Sequence, residues 1–280
     1  MRSWRAVAAV VLLGAVWALA DSFVRIVRIS LLTGESQVSH APEPATAPRR
    51  WSQAILNAPL VEGEAIRTRN DGQAEVQLEC GSALRLAPNS ELTFTRLRLR
   101  SDGVRFTRVT MDFGTAFFAI QKADAPDFQT AVSDGEIATP DGAAVFRVDA
   151  LPGSPTRVEL IAGHARMHAG GAWLPLRRAA TLELAEHTAP TFIANAAPDQ
   201  WSRWNHARDE LYERAMLAAQ PRPPVNGAAS SPPLIGVPSA ASVNTLNPGG
   251  SFDSLDATML GPDPFPISQN LPRMPYCSKN

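Results

Sequence analysis

The chain has 280 residues and nearly balanced charge, with 26 Lys and Arg against 27 Asp and Glu. That balance excludes a bulk nucleic-acid binder, whose charge would be clearly positive. Two cysteines exclude a disulfide-dense scaffold and a four-cysteine zinc site.

Arg2 and Arg5 precede an uncharged run over residues 6–20, which ends Ala18-Leu19-Ala20 before Asp21. A basic start, an apolar core and small residues at its end are the parts of a secretory signal peptide, cleaved after Ala20. As a helix the run reaches only ~22 Å, short of the ~30 Å hydrocarbon core of a bilayer. Asp21, Arg25 and Arg28 stop it from lengthening. The alternative is an uncleaved inner-membrane anchor, with Trp17 and Phe23 at the interface. Either way the remaining chain is expected outside the cytoplasm, periplasmic or secreted, with no cytoplasmic partner once the signal is removed.

Next comes an alternating stretch in which Val24 and Ile26 flank Arg25, and Val27, Ile29 and Leu31 follow at period two, predicting a strand. Pro42, Pro44 and Pro48 space a loop. Short apolar runs with turn residues then recur every ~8–12 residues, which predicts an all-β sandwich, barrel or solenoid over residues 22–198. The parity of the apolar positions switches between Phe94 and Leu97, and again between Phe106 and Val109. A one-residue shift flips every side chain, so each switch requires a bulge. Residues 92–113 therefore read as a bulged hairpin turning at Ser101-Asp102-Gly103, with Arg96, Arg98, Arg100, Arg105 and Arg108 facing outward.

Over 199–218 the period becomes helical, with Trp201, Trp204, Leu211 and Ala215 on one stripe and Asp199 in the N-cap region. This predicts one amphipathic helix that packs Trp201 and Trp204 onto the β domain or onto a partner. Residues 219–280 hold twelve of the 24 prolines and no sustained periodicity, so a disordered or extended Pro/Ser/Gly-rich tail is expected.

No phosphate loop, HExxH, nucleophile elbow or paired CxxC is present. His164 and His168 on a strand would be ~13 Å apart, which points to solvated side chains rather than a metal site. No catalytic residue, metal ligand or cofactor site emerges, and the chain does not read as an enzyme. Cys80 and Cys277 leave a bridge, free thiols and intermolecular pairing all open. The five hairpin arginines carry the functional hint, because planar guanidinium forks suit the carboxylates or phosphates of acidic glycans and lipid headgroups. Their weight is reduced by arginine being used throughout, 24 Arg against two Lys.

The run Asp71-Gly72-Gln73-Ala74-Glu75-Val76 through Gly81-Ser82, Leu84-Arg85-Leu86, Pro88-Asn89-Ser90 and Leu92 resembles the opening of a FecR-type domain. Gly114-Thr115-Ala116-Phe117-Phe118 is similar to that family's "G-x-A-x-F" strand. Phe128 through Pro140, and Val145-Phe146-Arg147-Val148, resemble its "F-x-V-x-T-P" and "F-x-V" strands, and Arg157-Val158-Glu159-Leu160 with Gly163 its closing hairpin. The resemblance covers about residues 57–170. It implies an all-β, partly solenoid-like domain outside the cytoplasm and supplies no catalytic residues. The best-known members relay signals to a sigma factor through a cytoplasmic helical region, which is not expected here because only five residues precede the apolar run. The expected role is thus a non-catalytic exported module that binds or scaffolds in the cell envelope, with an envelope protein, acidic glycan or lipid headgroup as partner. The alternative is a membrane-anchored signalling component without the anti-sigma region, and an enzyme acting on glycan or peptide is the third reading.

Overall fold

A computed structural model describes residues 23–42, 47–101, 103–185 and 188–219. The expected signal peptide, the expected tail and Cys277 lie outside those residues. The N-terminal strands are β1 (Phe23–Val24), β2 (Val27–Thr33), β3 (Ser36–Ser39), β4 (Trp51–Gln53) and β5 (Pro59–Leu60). The motif region supplies β6 (Ala65–Thr68), β7 (Gln73–Gln77), β8 (Ala83–Leu86), β9 (Glu91–Leu99) and β10 (Arg105–Ile120). There follow β11 (Phe128–Val132), β12 (Gly135–Ala138), β13 (Ala144–Ala150), β14 (Thr156–Gly163), β15 (Arg166–Ala169), β16 (Ala172–Pro175), β17 (Ala180–Leu184) and β18 (Thr191–Ala194). Helix α1 spans Gln200–Ala219. The fold is all-β with one helix, as the alternation and the resemblance led us to expect.

The strands form two sheets that share β10. Residues 105–113 of β10 pair with β9, and residues 114–120 pair with β8 and β13. The first sheet runs β4-β3-β6-β9-β10-β11-β12-β15-β16, with β1 beside the far end of β9. The second runs β5-β2-β7-β8-β10-β13-β14-β17-β18. Among the described residues neither sheet closes on itself, so β4 and β16 are edges of one and β5 and β18 of the other.

The switch between sheets falls at Gly114, whose φ is +96°. A Cβ there would lie 2.4 Å from Ser90 Oγ and 2.5 Å from Ser90 Cα, so both the backbone conformation and the close approach require glycine. Ser90 Oγ in turn donates to the Thr115 carbonyl (3.0 Å) and accepts from the Thr115 N–H (2.9 Å), fixing the crossing.

Both sheets feed one core. Phe118 pairs across to Phe146, the rings stacking at 4.7 Å and 9°, and Phe128 meets Phe118 edge-on at 6.2 Å. Leu92, Phe94, Met111, Ile137, Val148 and Met167 complete the same cluster. The bulge expected between Phe94 and Leu97 is present at Thr95 of β9, but the one expected between Phe106 and Val109 is not: β10 runs unbroken there, and its bulge falls at Asp112 instead. This register places Arg96, Arg98, Phe106 and Arg108 on one outer face. Arg105 is a correction, because its register puts it on the other face with Leu97, Leu99 and Thr107. The single strand expected near Val24 is also divided, since Arg25 turns inward. It is 4 % exposed and bonded to Glu79, the Phe106 carbonyl and Thr107 Oγ1.

Candidate functional site

Glu75 and Arg85 sit directly opposite each other on β7 and β8. Ala74 and Val76 face the core, so alternation sends Glu75 outward, where solvent would be expected. Instead α1 covers this face, and Glu75 is 0 % and Arg85 1 % exposed. Glu75 accepts from Arg85 Nε (2.8 Å), Arg208 Nε (3.2 Å) and Nη2 (3.1 Å), Ser30 Oγ (2.7 Å) and the Tyr212 hydroxyl. Arg85 Nη1 also meets Asp209 at 2.6 Å. Two carboxylates thus face two guanidiniums, a neutral cluster between sheet and helix in which only the Asp209 side chain keeps contact with solvent.

Burial alone would raise the pKa of Glu75, but Arg85 and Arg208 outweigh it and hold it at about 2. Burial and the Glu75 charge push the Tyr212 phenol up. Burial also raises Asp209 despite Arg85 beside it. Removing one member of such a cluster leaves an uncompensated buried charge, at a cost of about 3–5 kcal/mol.

The helix reaches this position through its cap. Asp199 Oδ1 accepts the Ser202 N–H at 2.7 Å, while Asp199 Oδ2 takes Arg147 Nη1 from β13 at 2.7 Å. Trp201 and Trp204 stack at 4.9 Å and pack with Leu31 and Ala87. They are 7 % and 5 % exposed, so the β domain and not an external partner takes them up. Sequence periodicity found these two apolar anchors and missed the polar half of the same face, Asn205, Arg208 and Tyr212. The available signal was their spacing, since 201, 204, 205, 208 and 212 share one helix face.

The hairpin arginines are mostly answered within the molecule. Glu62 takes Arg96 at 2.8 Å and Arg98 at 3.4 Å, and also accepts the Leu97 N–H. Arg108 pairs with Glu136 at 2.5 Å. Arg100 is exposed, and Arg105 lies near the Glu79 carboxylate. These five side chains therefore do not converge on one free anion site.

Other openings lie on the β domain. A groove of about 910 Å³ runs between α1 and β13, β14 and β17. Its cations have internal acceptors: Arg147 has Asp149 and Asp199, Arg157 has Glu183, and Arg203 has the Pro198 carbonyl. A smaller cleft of about 470 Å³ opens beside Trp173 at the β16 edge.

The motif residues all have structural duties. Ser82 Oγ donates to buried Asp124 and accepts from the Gln121 N–H, holding the turn after β10. Asn89 takes a left-handed backbone, with φ of +54°, next to the Ser90 clamp. Residues 64–166 match the family described as FecR protein. The chain carries a FecR domain. No curated protein matches it. Two crystal structures of a candidate anti-sigma factor from Parabacteroides distasonis are similar at 16 % identity, with TM-scores of 0.41 and 0.42. The chain spans 64 % and 63 % of those two structures, which each cover 50 % of it. The FecR domain alone does not include α1, whose Arg208 and Tyr212 complete the cluster on Glu75.

Proposed function

We propose that this is a non-catalytic FecR-domain protein exported from the cytoplasm, acting as a binding or scaffolding module of the bacterial cell envelope. The observation that carries this reading is the FecR match over 64–166, a domain that works in the periplasm in its family context. Cys80 adds support, because it is disulfide-bonded and disulfides persist in oxidising compartments. The polar groups described above are used to lock the fold, which fits a module that presents surfaces rather than one that performs chemistry. Among the described residues no helix is long and apolar enough to cross a membrane.

The test is the mature N-terminus, read by mass spectrometry on protein from fractionated native cells. A start at Asp21 in a soluble or outer-envelope fraction supports the exported module. An intact N-terminus in the inner-membrane fraction overturns it in favour of a tethered signalling component. Recovery from the cytoplasm overturns both.

A further inference from the structure

Basic side chains are answered by acids through most of this chain. Arg25 meets Glu79, Arg85 and Arg208 meet Glu75, and Arg147 meets Asp149 and Asp199. One end of the β domain departs from that habit. Residues 160–182 contain no Asp or Glu, yet they hold His164, Arg166, His168, Arg177 and Arg178. Among the described residues none of the three guanidiniums has an ion-pair partner. Two lie over aromatic rings instead, Arg166 at 4.5 Å from the centre of Trp173 and Arg177 at 4.9 Å from Phe192.

The strands explain this display. Alternation along β15 buries Met167 and Ala169 and turns Arg166 and His168 outward. Trp173 on edge strand β16 pairs opposite His168, with ring centres 5.2 Å apart, and stays 43 % exposed. The cleft of about 470 Å³ beside it is lined by Asp141, His164, Arg166, Trp173 and Arg178. That volume falls in the range of small-ligand pockets, ~300–1,000 Å³.

We infer that this cleft binds a carboxylate-bearing saccharide. Arg166 and Arg178 take the carboxylate, Trp173 lies against the apolar C–H face of the sugar, and Asp141 accepts from its hydroxyls. The mixture of groups selects this ligand among anions. Inorganic phosphate has no apolar C–H face to lie against Trp173, and the acyclic headgroup of phosphatidylglycerol offers no sugar-ring face and no carboxylate. A sugar needs both an acceptor and an apolar platform, and a guanidinium fork matches a carboxylate in bidentate fashion. Cation–π contact with Trp173 also holds the Arg166 side chain in place before the ligand arrives.

The inference deepens the envelope-module reading and rests on it, but the two fail separately: an exported chain that binds no uronate refutes the cleft alone. The experiment is calorimetric titration of the full chain with digalacturonate, its neutral galactose counterpart, inorganic phosphate and phosphatidylglycerol vesicles. Digalacturonate is expected to bind at least about tenfold more tightly than the other three, and more weakly as salt rises. Trp173→Ala and Arg166→Gln should each weaken it about fivefold or more. Both positions are exposed, so equal melting temperatures check that the variants are folded, and Arg214→Gln on α1 should bind like the parent. No saturable binding, equal affinity for the neutral sugar, a preference for phosphate or vesicles, or an unaffected Trp173→Ala would each overturn the assignment.

Discussion

Glu75 and Glu62 each bridge two arginines, and burial decides what that is worth. Glu62 lies at the surface beside Arg96 and Arg98, whose side chains are 53 % and 54 % exposed, so solvent screens the pairs. Glu62→Gln is expected to change unfolding free energy by less than about 1 kcal/mol. Glu75→Gln removes the carboxylate that faces both buried guanidiniums, leaving Asp209 on Arg85, and denaturant unfolding should show a loss of about 3–5 kcal/mol at neutral pH. Tyr212→Phe is the milder probe. It removes one hydrogen bond to a charged acceptor, for about 1.5–3 kcal/mol.

The same residue sets an acid dependence. Its folded pKa of about 2 lies below the ordinary 4.5, so its contribution is complete above pH 4.5 and is lost as pH falls toward 2. Since one unit is worth ~1.4 kcal/mol, the loss approaches about 3 kcal/mol. Asp209 and Asp124 are raised by burial and act with the opposite sign, gaining stability as they protonate. Unfolding midpoints between pH 5 and 2 should therefore fall for the parent and fall less for Glu75→Gln. Equal slopes would assign the acid sensitivity to other carboxylates.

At the scale of elements, β10 and α1 carry the architecture. Gly114→Ala forces a side chain onto Ser90 at a positive φ. It should cost at least about 2 kcal/mol, seen as a lower melting temperature. A chain ending at residue 198 would uncover Glu75 and Arg85, and limited proteolysis should find β2, β7 and β8 newly cleavable. The β9 bulge was legible because apolar parity changes between Phe94 and Leu97, whereas the change between Phe106 and Val109 reflects Phe106 on the outer face, and the bulge at Asp112 left no apolar signal. Helix α1 was legible from its tryptophans and its Asp199 cap. The ionic cluster was not. Strand alternation assigns Glu75 and Arg85 to solvent, and apolar periodicity gives no weight to Arg208. Only the tertiary placement of α1, 133 residues from Glu75, reverses both readings. The outward placement of Arg105 failed for a local reason, since no bulge separates it from Arg108.

At the scale of the molecule, the structure divides its charged groups by use. Those under α1 and at the Arg25 corner are spent on the fold, while those around Trp173 remain open to solvent. Cys80 belongs to the first set. Alkylation of the native full chain without reductant should leave Cys80 unmodified, and reduction should expose it. Modification before reduction would contradict the oxidising compartment proposed above.

The distance in sequence between Glu75 and its helical partners also has a temporal side. At roughly 5–20 residues per second of synthesis, Arg208 leaves the ribosome on the order of ten seconds after Glu75. During that interval the nascent sheet shows a carboxylate and a guanidinium on a face not yet roofed. Burial of this pair waits on the last element of the described chain to be made.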